Sequence, residues 1–156
     1  MLLLLDIDGV MVVGNSWEKP EFLDDGFPAF NIRATIALQK LISESNAKIL
    51  LTTSHKSKYS IEEWHDIFRL RGFNNLKIDV LPENKTHLNR KEEILNWVDS
   101  LNDLPEFLII DDDKTLNSLP SEIKNKLIQT NASVGLTNEL VEVALAILEK
   151  DKLKFV

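Results

Sequence analysis

Four short apolar runs, Leu2–Ile7, Lys48–Thr53, Leu76–Leu81 and Phe107–Ile110, alternate with longer stretches of helical periodicity. This alternation most limits what the chain can fold into. A near-continuous apolar run of this length suits a strand buried on both faces, because water reaches neither side of it. Helices between strands carry the chain back over the sheet, so neighbouring strands run parallel through right-handed crossovers. The expectation is an α/β fold of three layers, a parallel sheet with helices on both faces.

The helices have legible ends. Asn31 can cap one that runs through Ser43, with Ile32, Ile36, Leu38 and Leu41 expected to face inward. Ser60, followed by Glu62 and Glu63, opens another that reaches Arg71 and stops at Gly72. Asn89 can cap a third, to about Leu101, with Ile94, Trp97, Val98 and Leu101 on one face. Leu119–Leu127 reads as a short helix, Leu127–Gln129 as a fifth strand, and Thr137 caps a last helix to about Lys150. Trp64 and Trp97 sit at helical spacing among apolar residues and read as core. His65 and His87 read as structural or exposed, and Asp24, Asp25, Glu62 and Glu63 as solvated. A short irregular insert is expected at about 12–29, where Gly14, Pro20, Gly26 and Pro28 fall. No repeat or linker divides the chain, so 1–156 reads as one domain.

Composition narrows the function classes. The chain is 44% hydrophobic and 28% charged, a balance that supports a packed core. It has no cysteine, so it holds neither disulfides nor a thiolate metal site, and a cytoplasmic setting is expected. Met1–Leu5 lacks basic residues and is too short for a signal peptide or a membrane span, so no membrane partner is expected. A net charge of −7 argues against nonspecific binding to duplex nucleic acid. Some of that acidity would be explained by a metal site.

Ligands of open α/β sheets bind beyond the carboxyl ends of the strands. Three runs end there in polar groups: Asp6-Ile7-Asp8-Gly9-Val10, Thr52-Thr53-Ser54-His55-Lys56 and Asp111-Asp112-Asp113. Converging carboxylates repel one another unless a hard divalent cation compensates, and Mg2+ takes a few carboxylates together with phosphate oxygens. A carboxylate can also attack phosphorus and form an aspartyl-phosphate. On this logic Asp6 is the nucleophile and Asp8 the group that protonates the leaving group and then activates water. Gly9 permits a sharp turn after the strand. Thr53 holds a phosphate oxygen, with Thr52 as the alternative, and Ser54 and His55 follow as substrate contacts. Arg90 is the cationic clamp, with Lys91 beside it. Asp6, Asp8, Asp111 and Asp112 are the candidate metal ligands, Asp112 foremost on the acidic loop. Asp113 reads as a loop or N-cap residue. Trp17 lies in the insert, where it could overhang the site.

At these residues the chain resembles the haloacid dehalogenase (HAD) superfamily of phosphohydrolases. The motifs are LLLLDIDGV, ILLTT, a later Arg or Lys, and LIIDDD, in the superfamily's order. A closer resemblance is to the small HAD domains associated with Swiss Army Knife RNA repair proteins, carried by LTTSHK, RKEEILNWV and FLIIDDD. The sequence departs from that pattern at His55, where the family usually has Trp, and Lys56 takes the place of Arg. The resemblance implies a Rossmann-like, HAD-like fold and a Mg2+-dependent phosphatase, because dehalogenases of the superfamily lack an acid at the position of Asp8. It also implies an essentially capless domain, since neither the insert nor the segment after motif three is long enough for a full cap. An open site would admit a bulky phosphorylated substrate, such as a nucleic-acid end or a phosphoprotein. The alternative reading is a catalytically weak or inactive binding or regulatory module on the same fold. A receiver-type domain also uses a strand-end Asp, Mg2+, Thr and Lys, but its phosphorylated Asp ends the third strand. Nothing in the sequence specifies an oligomeric state.

Overall fold

The computed structural model describes residues 1–14, 21–82 and 88–153. Trp17 and His87 lie outside the described residues, as does part of the expected insert. Five strands form one all-parallel sheet: β1 (Leu2–Leu5), β2 (Lys48–Leu51), β3 (Ile78–Val80), β4 (Phe107–Asp111) and β5 (Leu127–Gln129). Their order across the sheet is β3-β2-β1-β4-β5. The helices are α1 (Ile32–Ser45), α2 (Ile61–Leu70), α3 (Arg90–Ser100), α4 (Ser121–Lys124) and α5 (Asn138–Leu153). The α/β Rossmann-like class expected from the sequence is the one observed.

Strand alternation divides the core in two. Leu3, Leu5, Ile49, Leu51, Leu108 and Ile110 pack with residues of α1, α2 and α5. Leu4, Leu50, Phe107 and Ile109 pack with Ile94 of α3, Ile123 of α4 and Leu116 and Leu119. The strand order accounts for the division. The chain steps one way across the sheet from β1 to β3 and then crosses back to β4, so right-handed crossovers place the connecting helices α1 and α2 on one face and α3 and α4 on the other, while α5, after the last strand, returns to the face of α1.

Local capping sets the helix ends. Asn31 accepts a hydrogen bond from the Ala34 N–H, and Asn89 from the Glu92 N–H. Ser60 and Glu63 form a reciprocal capping box at α2, so Glu63 is engaged rather than simply solvated. Thr137 Oγ1 accepts from the Leu140 N–H at the start of α5.

Three further expectations are corrected. Ile32 and Ile36 are 76% and 62% exposed, and α1 buries Ala34, Ala37, Leu38 and Leu41 instead. At 3.6 residues per turn Ile32 and Ile36 lie on the side of the helix roughly opposite Leu38 and Leu41, so the four cannot share one buried face. The helix expected over Leu119–Leu127 is reduced to the single turn of α4 after a 3-10 turn at Lys114–Ser118, because Leu127 belongs to β5. Asp25 is not a solvated acid. Arg71 Nη1 and Nη2 donate to its two oxygens at 2.6 and 3.0 Å, and the same guanidinium donates to the carbonyls of Phe27, Pro28 and Ile67. This buried arginine fastens residues 25–28 to the end of α2.

Candidate active site

The reversal in strand order falls between β1 and β4, and at such a point open α/β sheets bind ligands beyond the carboxyl ends of the strands. Asp6 follows β1 there. Its N–H donates to the Ile110 carbonyl at 3.1 Å, while the Thr52 N–H donates to the Leu5 carbonyl at 3.0 Å. The nucleophile candidate is thus seated between β4 and β2. The loop beyond it is tight, since the N–H groups of Val10, Met11 and Val12 all converge on the Ile7 carbonyl.

Asp6, Asp111 and Asp112 each present an oxygen within 4.8 Å of the others. Asp6 and Asp111 are buried. Burial and the neighbouring Asp111 carboxylate push Asp6 up to about 8, against the opposing pull of Arg90. Asp111 is also raised, by burial first, with Arg90 pulling it back. Arg90 opens α3 and turns to these acids. Its Nη1 hydrogen-bonds Asp111 Oδ2 and lies 3.5 Å from Asp6 Oδ1. Burial alone would lower its pKa, but Asp111 and Asp6 outweigh burial and hold it above the ordinary value. A basic residue is unfavourable in a first turn, and this pairing explains its presence there. The ion pairs to the acids come from Arg90, not Lys91.

Gly9 has φ +81, and a Cβ on it would lie 2.2 Å from Asp112 Oδ2. Its place is therefore steric. It lets the loop turn and leaves room for the Asp112 carboxylate. Asp113 caps the following 3-10 turn by accepting from the Thr115 N–H at 2.9 Å.

Thr52 and Thr53 are both fully buried. Thr53 Oγ1 accepts from the His55 N–H at 3.3 Å. Among the described residues, Thr52 Oγ1 and Arg90 Nε are the buried side-chain polar atoms with no hydrogen-bond partner. An unpaired buried donor is costly, so each is a group that a polar ligand could satisfy. Ser54 is exposed just beyond. The Asp8 carboxylate stands apart from the three clustered acids. It is 56% exposed and its Oδ2 lies 2.8 Å from His55 Nε2.

Three residues have supporting roles that the sequence reading did not assign. Lys56, almost buried, pairs with Glu93 Oε2 at 2.8 Å and ties the loop after β2 to the first turn of α3. Thr130 Oγ1 donates to the Gly9 carbonyl at 2.8 Å. Arg71 braces the segment after β1, as described above. None carries a local signal, because each partner is distant in the chain.

Against this geometry, the model of one protein family, the HAD domain in Swiss Army Knife RNA repair proteins, matches residues 2–141. The chain belongs to this family. No curated protein matches it. HAD domains typically use a metal, and the donor set here fits one. Three carboxylates cluster where a single guanidinium pairs with two of them, which leaves a surplus of negative charge that a hard cation with oxygen ligands would relieve. Asp6, Asp111 and Asp112 are the residues that would hold it. Among the described residues of this HAD domain, no helix is long and apolar enough to cross a membrane.

Proposed function

We propose that the protein is a Mg2+-dependent phosphomonoester hydrolase acting through an aspartyl-phosphate on Asp6. The observation that carries this reading is the cluster of Asp6, Asp111 and Asp112, the first two buried and paired with Arg90, at the carboxyl ends of the strands. An acid flanked by acids is a poor nucleophile toward an anionic ester unless charge is compensated. When bound, Mg2+ would supply that compensation between the carboxylates and the phosphate.

Arg90 and a threonine hydroxyl hold the non-bridging phosphate oxygens, and the unpaired Thr52 Oγ1 favours Thr52 over Thr53 for this task. An Asp6 oxygen attacks phosphorus as the bond to the leaving oxygen breaks, and Asp8 gives that oxygen its proton. Water then attacks the aspartyl-phosphate while Asp8 takes a proton back. Inorganic phosphate leaves, and both acids return to their starting forms. The sum is one ester and one water giving one alcohol and one phosphate.

Among phosphomonoesters, the family's description as RNA repair domains favours a phosphorylated nucleic-acid end, and a cytoplasmic setting suits the cysteine-free chain. The test is release of inorganic phosphate from p-nitrophenyl phosphate and from oligonucleotides phosphorylated at either end. Release should require Mg2+ and vanish in Asp6→Asn. Full activity in that variant would overturn the mechanism.

A further inference from the structure

The hydrogen bond between His55 and Asp8 links two loops that are far apart in sequence. His55 Nε2 lies 2.8 Å from Asp8 Oδ2, and Lys58 Nζ lies 3.3 Å from His55 Nδ1. An ammonium can only donate, so Nδ1 accepts, and Nε2 carries the hydrogen that Asp8 receives. The imidazole is itself held. Its ring meets the edge of Phe27 at 5.9 Å, and Phe27 packs in turn against Tyr59 and Trp64. Arg71 fixes Phe27 from behind, through the Phe27 carbonyl at 2.7 Å and with its guanidinium 5.3 Å from the ring. Asp8, by contrast, is exposed and has no other side-chain hydrogen bond among the described residues. An exposed carboxyl on a two-torsion side chain samples several rotamers unless something restrains it. Among the described residues, the one side-chain restraint is a histidine whose own ring packs on an aromatic wall of Phe27, Tyr59 and Trp64.

We infer that His55 is a positioning residue that orients the Asp8 carboxyl for proton transfer to the leaving group. It occupies Oδ2 and so leaves Oδ1 to face the substrate. The segment after β1 has a part in this, because its Phe27 builds the wall that holds the imidazole. The inference rests on the phosphatase reading and goes beyond it, since it removes His55 from substrate binding and couples it to the acid.

The experiment compares wild type with His55→Phe, which keeps a ring against Phe27 but lacks the N–H, and His55→Gln, which restores an N–H donor. Circular dichroism melts establish that each variant is folded. The readout is kcat/KM with Mg2+ on two esters, p-nitrophenyl phosphate and a simple alkyl phosphate. This constant reports the steps up to leaving-group departure. The nitrophenolate leaves with little help, whereas the alkoxide needs a proton. His55→Phe should lower kcat/KM on the alkyl ester roughly 10- to 100-fold and on the aryl ester less than about threefold, and His55→Gln should recover most of the loss. In an Asp8→Asn background, His55→Phe should cost nothing more. Equal losses on both esters, or no loss on either in an active protein, would overturn the positioning role alone. Wild-type protein that hydrolyses neither ester nor the phosphorylated oligonucleotides would overturn the phosphatase reading, and this inference with it.

Discussion

Replacing Asp6, the proposed nucleophile, should make the metal-free protein more stable. Asp6 is 5% exposed and faces a second buried carboxylate, and its pKa stands at about 8 against an ordinary 3.8. In chelator at pH 7 the folded protein therefore keeps a proton on Asp6 that the unfolded chain would release. Holding that proton costs about 1.4 kcal/mol for each pH unit above the ordinary value, or roughly 4 kcal/mol in all. Asn has nearly the shape of the protonated acid and carries no such cost. Allowing about 1–2 kcal/mol for altered hydrogen bonding to Asp112 and Arg90, Asp6→Asn should gain roughly 2–3 kcal/mol, a rise in Tm of about 4–12 °C for a domain of this size. The sign with pH follows from the same linkage. Below the ordinary value both states are protonated and the cost vanishes. It grows as pH rises toward 8 and then levels off. Urea or thermal melts in EDTA from pH 4 to 9 should show wild type losing stability across that window and Asp6→Asn staying flat relative to it. Added Mg2+ should narrow the gap, because it stabilises the carboxylate form. An Asp6→Asn protein no more stable than wild type in EDTA at pH 7 would refute the account of Asp6 as a strained, buried acid.

Three further outcomes can be checked. Gly9→Ala should lose at least tenfold in phosphatase activity and about 1–3 kcal/mol in urea unfolding, since the residue is at φ +81 and its Cβ would meet Asp112 Oδ2. Thr52→Val should lower activity about tenfold or more while leaving stability within about 1 kcal/mol, because an unpaired buried hydroxyl is replaced by a methyl. Thr53→Val should do less to activity, and the reverse order in parallel assays would reassign the phosphate contact. Arg71→Ala should cost about 3–5 kcal/mol, by stranding three carbonyls and freeing Asp25. Asp25 is held below its ordinary value chiefly by its hydrogen bonds from Arg71. Its contribution is present above pH 3.8 and lost as pH falls through the lower folded value, so Arg71→Ala should remove that share of the acid-side loss in pH-dependent melts.

The strands and most helix ends were legible because their signals are local. An apolar run such as Leu2–Leu5 reads as strand without knowledge of its partners, and Ser60 with Glu63 or Asn89 before Glu92 caps a helix through bonds three residues long. The DIDGV and DDD segments likewise announced which strand ends carry acids. Ile32 and Ile36 were misjudged because apolar character was read without angular position around the helix.

What the sequence alone determined, then, is the order of elements and the strand ends at which chemistry can gather. Only the tertiary structure decided which groups meet there. Arg90 reaches Asp111 across 21 residues, His55 reaches Asp8 across 47, Arg71 reaches Asp25 across 46, and Thr130 reaches Gly9 across 121. Thr52 and Thr53 differ in the same way, since Thr53 Oγ1 accepts from the His55 N–H and Thr52 Oγ1 has no partner among the described residues. Adjacent hydroxyls are equivalent in sequence and differ only in what surrounds them. The physical reason is that backbone periodicity and capping are interactions between near neighbours along the chain. Charge pairing, desolvation and the steric need for Gly9 arise from residues that become neighbours only once the sheet has formed.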